Sequence, residues 1–244
     1  EKRVSNIYYF KIEDPLRRVF FFALNWRHQP NKTQMNILLV DGPSRTDLLP
    51  LTFTRPVSAL RCGILTIAEK YMNRGILIGF RTEDYLSKKF SSIANPDFSI
   101  WGSVCPTSSF LNAVSGLKEG EYLAQDTHIL AVRGGELDST GKSRVEFTEE
   151  LNIISKPWHI WTNNAVELEA DYDLLTEGRT SAPIHSSNTI LGVRIFLEEG
   201  AKATASILNS TSGSIYLAKD AEIMEGCMVR GGLALGEHSA LKLG

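Results

Sequence analysis

Cysteine is scarce. The 244 residues hold three, Cys62, Cys105 and Cys227, scattered along the chain and odd in number. No two stand at CxxC spacing, which removes the common zinc and dithiol frameworks. They read as buried free thiols in a reducing cytoplasm, where disulfides are rare. Excess charge of one sign is also missing: 26 Lys and Arg face 28 Asp and Glu, a net −2. No basic cluster runs along one face, so nucleic acid is not an expected partner. A membrane is not expected either, because no apolar run approaches the roughly 20 residues that cross a bilayer. The longest compact one, "VFFFAL" at 19–24, is too short for a signal-peptide core. What remains is ordinary for a soluble globular protein, 43% hydrophobic and 22% charged. The length suits one large domain or two small ones.

Residues 1–34 show neither a helical nor an alternating period, and the first methionine, Met35, directly precedes the first strand signal. The upstream segment is expected to be a non-native or disordered extension. The alternative is an amphipathic extension packed on the domain. At the other end, "SALKLG" stops in mid-repeat, the pattern of a fragment of a longer protein.

From Met35 the first half alternates strand and helix signals. "NILLV" is a short aliphatic run closed by Asp41-Gly42-Pro43, as in a buried strand. A loop follows to Pro56, which suits a first helical turn. Leu60, Ile64, Ile67, Ala68 and Tyr71 then form one apolar stripe, and Asn73-Arg74-Gly75 a stop. "ILIGF" (76–80) is a second strand. Strand, helix and strand within some 40 residues predict a βαβ unit and a parallel sheet. Further strands are expected at 99–106 and within 121–133, with a helix at "SSFLNAVSGL" between them. "GGELDSTGKSR" reads as a polar turn. A helix within 156–179 is expected to begin with a capping-box-like pair, Asn164 and Glu167, and to end near Gly178. "TSAPIHSSN" (180–188) reads as a linker. The expected division is therefore an extension over 1–34, an α/β domain over 35–180, a linker over 181–194 and a last domain over 195–244.

That last domain carries a repeat. Leu217, Ile223, Val229, Leu235 and Leu241 recur every six residues, and Ala221, Cys227, Leu233 and Ser239 follow four later. An aliphatic residue at position 1 and a mostly small one at position 5 are the signature of a parallel β-helix. Leu197 with Ala201 and Ala203 with Ile207 suggest an earlier coil, interrupted by "NSTSGS".

The loop "DGPSRTDLLPLTFTRP" (41–56) is the candidate site. A loop after the first strand of a parallel sheet lies at the carboxyl edge, where open α/β folds bind ligands. Gly42 allows close backbone approach, with Ser44 beside it. Arg45 and Arg55 are able to fork onto phosphate oxygens, and Ser44, Thr46, Thr52 and Thr54 add hydroxyls. The pattern predicts a phosphorylated ligand.

The order of α/β domain, Ser/Pro linker and hexapeptide repeat resembles the sugar-nucleotide pyrophosphorylases that carry a left-handed β-helix. "DGPSRTDLLPLTFTRPVSALRCGILTIAEKY", "DYDLLTEGRTSAPI" and "SILNSTSGSIYLAKDAEIMEGCMVRGG" are similar to a GlmU-like branch of Bacteroidetes-type bacteria. The resemblance covers about 35–244. It implies a Rossmann-like nucleotidyltransferase domain, then an incomplete left-handed β-helix. It also implies nucleotidyl transfer between a nucleoside triphosphate and a sugar-1-phosphate in nucleotide-sugar and cell-envelope biosynthesis, Mg²⁺, and a homotrimer through the full β-helix. Arg45 and Arg55 would hold the triphosphate as catalytic residues, with Gly42, Ser44, Thr52 and Thr54 binding phosphate. Gly42 stands at the family loop's first glycine, Arg45 at its arginine, and Leu48-Leu49-Pro50-Leu51-Thr52 at its "L-x-P-x-T". Arg55 takes roughly the place of its lysine, and Pro43-Ser44 replaces a second glycine. Ser103 stands where such enzymes carry a metal-binding Asp, which leaves Asp41 or Asp126 either as substitute metal ligands or as ordinary turn residues, and the metal ligands open. Two alternatives follow: an acyltransferase whose activity lies in coils beyond this chain, and a non-catalytic nucleotide-sugar binder. His128, His159 and His238 read as structural or unassigned.

Overall fold

The computed structural model describes residues 35–243, so the expected extension over 1–34 lies outside the described residues. β1 (Asn36–Val40) is the strand expected from "NILLV", and Ile37, Leu38 and Leu39 are each at most 1% exposed. A strand covered on both faces needs that unbroken aliphatic run. β2 (Leu77–Arg81) and β3 (Phe98–Trp101) pair with β1 on opposite sides, both parallel to it. The chain therefore crosses over β1 between β2 and β3, and the carboxyl ends of β1 and β3 form a topological switch point.

The parallel pairing expected of the strand–helix–strand start holds for β1, β2 and β3, but the sheet as a whole is mixed. β4 (Glu121–Gln125) and β5 (His128–Arg133) are joined by two residues, the first of which, Asp126, has φ 50°. A link that short permits only antiparallel neighbours. β5 runs antiparallel to β3, and β6 (Ser143–Glu146) pairs parallel with β4, giving the order β2-β1-β3-β5-β4-β6. β6 takes the end of the stretch expected to be a polar turn, and β3 ends at Trp101, well short of residue 106.

The helix expected from Pro56 is broken. A short α1 (Ser44–Asp47) lies inside the loop, and Val57–Ala59 forms a single 3-10 turn. The chain then reverses at Gly63, where φ is +85° and a Cβ would strike the Glu167 backbone and the Asp171 carboxylate. α2 (Ile67–Met72) starts only at Thr66, whose side chain accepts from the Glu69 amide while the Glu69 carboxylate accepts from the Thr66 amide. This capping box satisfies two of the amides that a helix start leaves unpaired. The apolar stripe still points inward, with Leu60, Ile67, Ala68 and Tyr71 buried.

α3 (Ser108–Gly116) is capped by Thr107, and α4 (Pro157–Thr162) precedes α5 (Asn164–Thr176). Asn164 and Glu167 do not cap α5. The Asn164 side chain accepts from the Gly63 amide, and Glu167 turns inward to Lys70. Lys70 is 1% exposed and lies 2.6 Å from Asp171 and 2.8 Å from Glu167. Burial works to lower its pKa, but the two carboxylates outweigh burial and leave it above the usual lysine value. Asp171 also accepts from the Ile64 and Leu65 amides, so α5 clamps the turn that precedes α2.

From Thr189 the chain lays strands in turn on three short parallel sheets. β7 (Thr189–Leu191), β10 (Ile207–Asn209) and β13 (Met228–Arg230) form the first. β8 (Ile195–Leu197), β11 (Ile215–Leu217) and β14 (Leu233–Leu235) form the second. β9 (Lys202–Ala203), β12 (Glu222–Ile223) and β15 (Ala240–Leu241) form the third. Leu217 pairs with Leu235 and Ile223 with Leu241, three hexads further on. Leu197, Ala203, Leu208, Leu217, Ile223 and Val229 pack in one core between the sheets. β7 and the Ala182 amide, which donates to Leu197, draw part of the expected linker into this packing.

This stack rests on α5. Tyr172 packs with Phe196 and Tyr216, whose rings stack at 6.0 Å. Arg194 reaches Glu169 and Asp173 of α5, Ser214 donates to Glu169, and Arg179 pairs with Glu198.

Candidate functional site

The loop after β1 is built around Asp41. One carboxylate oxygen accepts from the Val57 amide at 2.7 Å, which closes the loop onto its own start. The other accepts from Arg45 at 2.9 Å and from the Thr82 hydroxyl at 2.5 Å, which joins the loop to the end of β2. Arg45 is largely enclosed. Its guanidinium also donates to the Tyr85 hydroxyl at 2.8 Å, and its Nε lies 3.4 Å from Glu83. Thr52 is fully buried and donates to the Arg45 carbonyl. The Tyr85 hydroxyl donates to the Phe53 carbonyl. Arg45 and Thr52 thus hold the loop to the segment after β2.

Gly42 and Ser44 face the end of β3. Gly42 has φ +58°, and a Cβ there would sit 2.8 Å from two atoms of the Trp101 ring. The glycine therefore admits a close indole. Trp101 Nε1 donates to the Ser44 hydroxyl at 3.2 Å, and that hydroxyl lies 2.5 Å from the Ser103 hydroxyl. Trp101, Ser44 and Ser103 are 3% exposed or less. Together they close the crevice between β1 and β3.

Thr54 and Arg55 turn outward on the other side of the loop. With Ala59 from the 3-10 turn and Lys89 and Phe90 from the segment after β2, they line a pocket of about 290 Å³. Phe90 is held edge-on against Phe80 of β2 at 5.4 Å, and the Phe80 amide donates to the Ser91 carbonyl. The segment bearing Lys89 is therefore anchored to the sheet edge. Arg55 and Lys89 have no carboxylate within salt-bridge distance among the described residues. Two cations, a hydroxyl and an aromatic residue therefore line this open depression.

Of the six residues singled out in the loop, Thr54 and Arg55 meet at this pocket. Gly42, Ser44, Arg45 and Thr52 lie in the packed layer beside it. Lys89 and Phe90 escaped the sequence reading, although "KKF" at 88–90 sets a basic pair against an aromatic just past a strand. Asp126 lies in the β4–β5 turn, where its carbonyl accepts from Arg144. His128 stacks on Trp101 at 5.0 Å, and His159 Nδ1 lies 3.0 Å from the Ile153 carbonyl oxygen. The thiols stand apart: all three are buried, and burial pushes Cys62 up to about 11 and raises Cys105 well above the ordinary thiol value, which leaves neither a nucleophile at neutral pH.

Comparison with protein families finds one whose model, described as sugar nucleotidyl transferase, matches residues 37–180. The match spans β1 through α5, and so includes the loop, the segment after β2 and the pocket between them. No curated protein matches the chain.

Proposed function

Because this chain belongs to the sugar nucleotidyl transferase family, we propose that it joins a nucleoside triphosphate to a sugar-1-phosphate, releasing pyrophosphate. An oxygen of the sugar phosphate attacks the α-phosphorus. The new P–O bond forms as the bond from that phosphorus to the β-bridging oxygen breaks, and pyrophosphate leaves with the electron pair. Such chemistry asks a protein mainly for positioning and neutralisation of charge. The observation that carries the reading is the outward-facing Arg55 and Thr54, in a loop at the carboxyl edge of the sheet and inside the matched segment.

Arg55 and Thr54 meet phosphate oxygens in this reading. Arg45 and Thr52 hold the loop so that Arg55 faces outward, and Gly42 and Ser44 fix its start against Trp101. The GlmU-like branch, a role in nucleotide-sugar and cell-envelope biosynthesis and a cytoplasmic location belong to the same proposal. The three short sheets support a left-handed parallel β-helix, through which the full protein would form a homotrimer.

The family's chemistry implies Mg²⁺, which when bound neutralises phosphate oxygens. The residues present do not fit a site built by the protein. Both Asp41 oxygens are occupied, Ser103 carries no charge, and no group of three or more His, Cys, Asp or Glu gathers among the described residues. The same Ser103 favours a second reading, a binder of nucleotide sugars without turnover.

The reverse reaction separates the two. The chain, given pyrophosphate, Mg²⁺ and a panel of nucleotide sugars, should form a nucleoside triphosphate from at least one of them. Binding of a nucleotide sugar without triphosphate formation would establish the second reading instead.

A further inference from the structure

Asp41 is the carboxylate that the resemblance offers as a substitute metal ligand, and its surroundings argue for a different role. It is 6% exposed. One oxygen takes both Arg45 and the Thr82 hydroxyl, which fill its two lone-pair sites, and the other takes the Val57 amide. A cation seated on Asp41 would also stand beside the Arg45 guanidinium, 2.9 Å from the same carboxylate. Mg²⁺ demands near-octahedral ligands at about 2.0–2.1 Å, so it would have to evict Arg45 and Thr82 and open the loop. The neighbouring acids are engaged as well, Glu83 with Arg45 and Asp47 with Lys156. In the crevice the Ser44 hydroxyl accepts from Trp101 Nε1 and shares a hydrogen bond with the Ser103 hydroxyl. The outward side has the reverse character: Arg55, Lys89 and Thr54 line it, with no carboxylate in the lining.

We infer that this edge neutralises phosphate with Arg55 and Lys89 in place of a metal held by the protein, so that Mg²⁺ competes with the two side chains for the same phosphate oxygens. That the phosphates belong to a nucleotide or to pyrophosphate rests on the transferase reading above; the competition rests on the geometry of Asp41 and on the two cations. The two arrangements differ in sign. A metal held on the protein supplies contacts to phosphate, and adding Mg²⁺ tightens the ligand. Side-chain cations alone lose attraction when Mg²⁺ reduces the ligand's charge, and adding Mg²⁺ loosens it.

Calorimetric titration of the full chain with inorganic pyrophosphate, in EDTA and again in excess Mg²⁺, reads that sign. Pyrophosphate should bind in EDTA. Mg²⁺ should weaken it by about fivefold or more, the difference between a hydrogen bond to a charged group and one to a neutral group. Arg55→Ala and Lys89→Ala should each cost about tenfold in EDTA, and the Mg²⁺ effect should shrink in both. Both side chains are exposed, so unchanged melting temperatures will show that the variants remain folded. Pyrophosphate that binds only with Mg²⁺, binds as tightly or more tightly with it, or binds in neither buffer overturns the inference, and so does binding indifferent to both substitutions. The sign is separable from turnover. Looser binding in Mg²⁺ without any transfer would leave the inference standing and remove the transferase, whereas transfer accompanied by tighter binding in Mg²⁺ would do the opposite.

Discussion

Asp41 ties three segments together: its own loop, the start of the 3-10 turn and the end of β2. Removing its charge leaves Arg45, whose side chain is 12% exposed, without the nearer of its two carboxylate partners. Breaking such an enclosed pair costs about 3 kcal/mol, so Asp41→Ala should lower the melting temperature and loosen the loop. A melting curve unchanged from the parent would refute this role. Gly42 offers a second test. An alanine there meets both a left-handed backbone and the Trp101 ring, and the backbone alone costs about 1–2 kcal/mol. Gly42→Ala should therefore destabilise by at least that much and perturb Trp101 fluorescence. Arg55→Ala should do neither, because Arg55 is exposed, while its effect falls on phosphate binding. The loop's composition did not show which of its residues face outward. Arg45 and Arg55 are indistinguishable as letters, and only Asp41 and Tyr85 decide that Arg45 turns in. Lys89 lies 34 positions beyond Arg55 and meets it only once β2 has paired with β1.

Among the elements, α5 joins the two halves of the described chain. Glu198 accepts from Arg179 and from the Tyr216 hydroxyl, and Glu169 accepts from Ser214 and Arg194. Burial works to raise both carboxyls, but these donors outweigh it and hold both below the usual glutamate range. A carboxyl depressed in the folded state stabilises above its unfolded pKa and stops doing so as pH falls through the folded one. The contacts that Glu169 of α5, and Glu198 with Arg179 just past α5, make at the three-sheet stack should therefore weaken below about pH 4.3, the ordinary glutamate value. Glu198→Gln should flatten that acid-side loss in a stability-against-pH profile. An identical profile for the variant would contradict the account. The pairing of Leu217 with Leu235 and of Ile223 with Leu241 agrees with the six-residue recurrence of aliphatic residues, a local pattern visible along the chain. The break before α2 was not, because Gly63 turns the chain toward partners a hundred positions away in α5.

For the whole molecule, the sheet order β2-β1-β3-β5-β4-β6 brings two loops to one carboxyl edge and buries the switch-point crevice under Trp101. The βαβ start was legible from its alternation of apolar runs and turns. The antiparallel β5 was less so, since a two-residue turn reverses a sheet without altering the strand pattern. In the function proposed above, this edge transfers a nucleotidyl group to a sugar phosphate. Pyrophosphate release by the full chain tests it most directly, with Mg²⁺, a panel of nucleoside triphosphates and glucose-1-phosphate or N-acetylglucosamine-1-phosphate. The account predicts release that requires both substrates and falls by at least about a hundredfold in Arg55→Ala, the upper range for a charged hydrogen bond. Release that proceeds without the sugar phosphate, or no release with any pair, would contradict it.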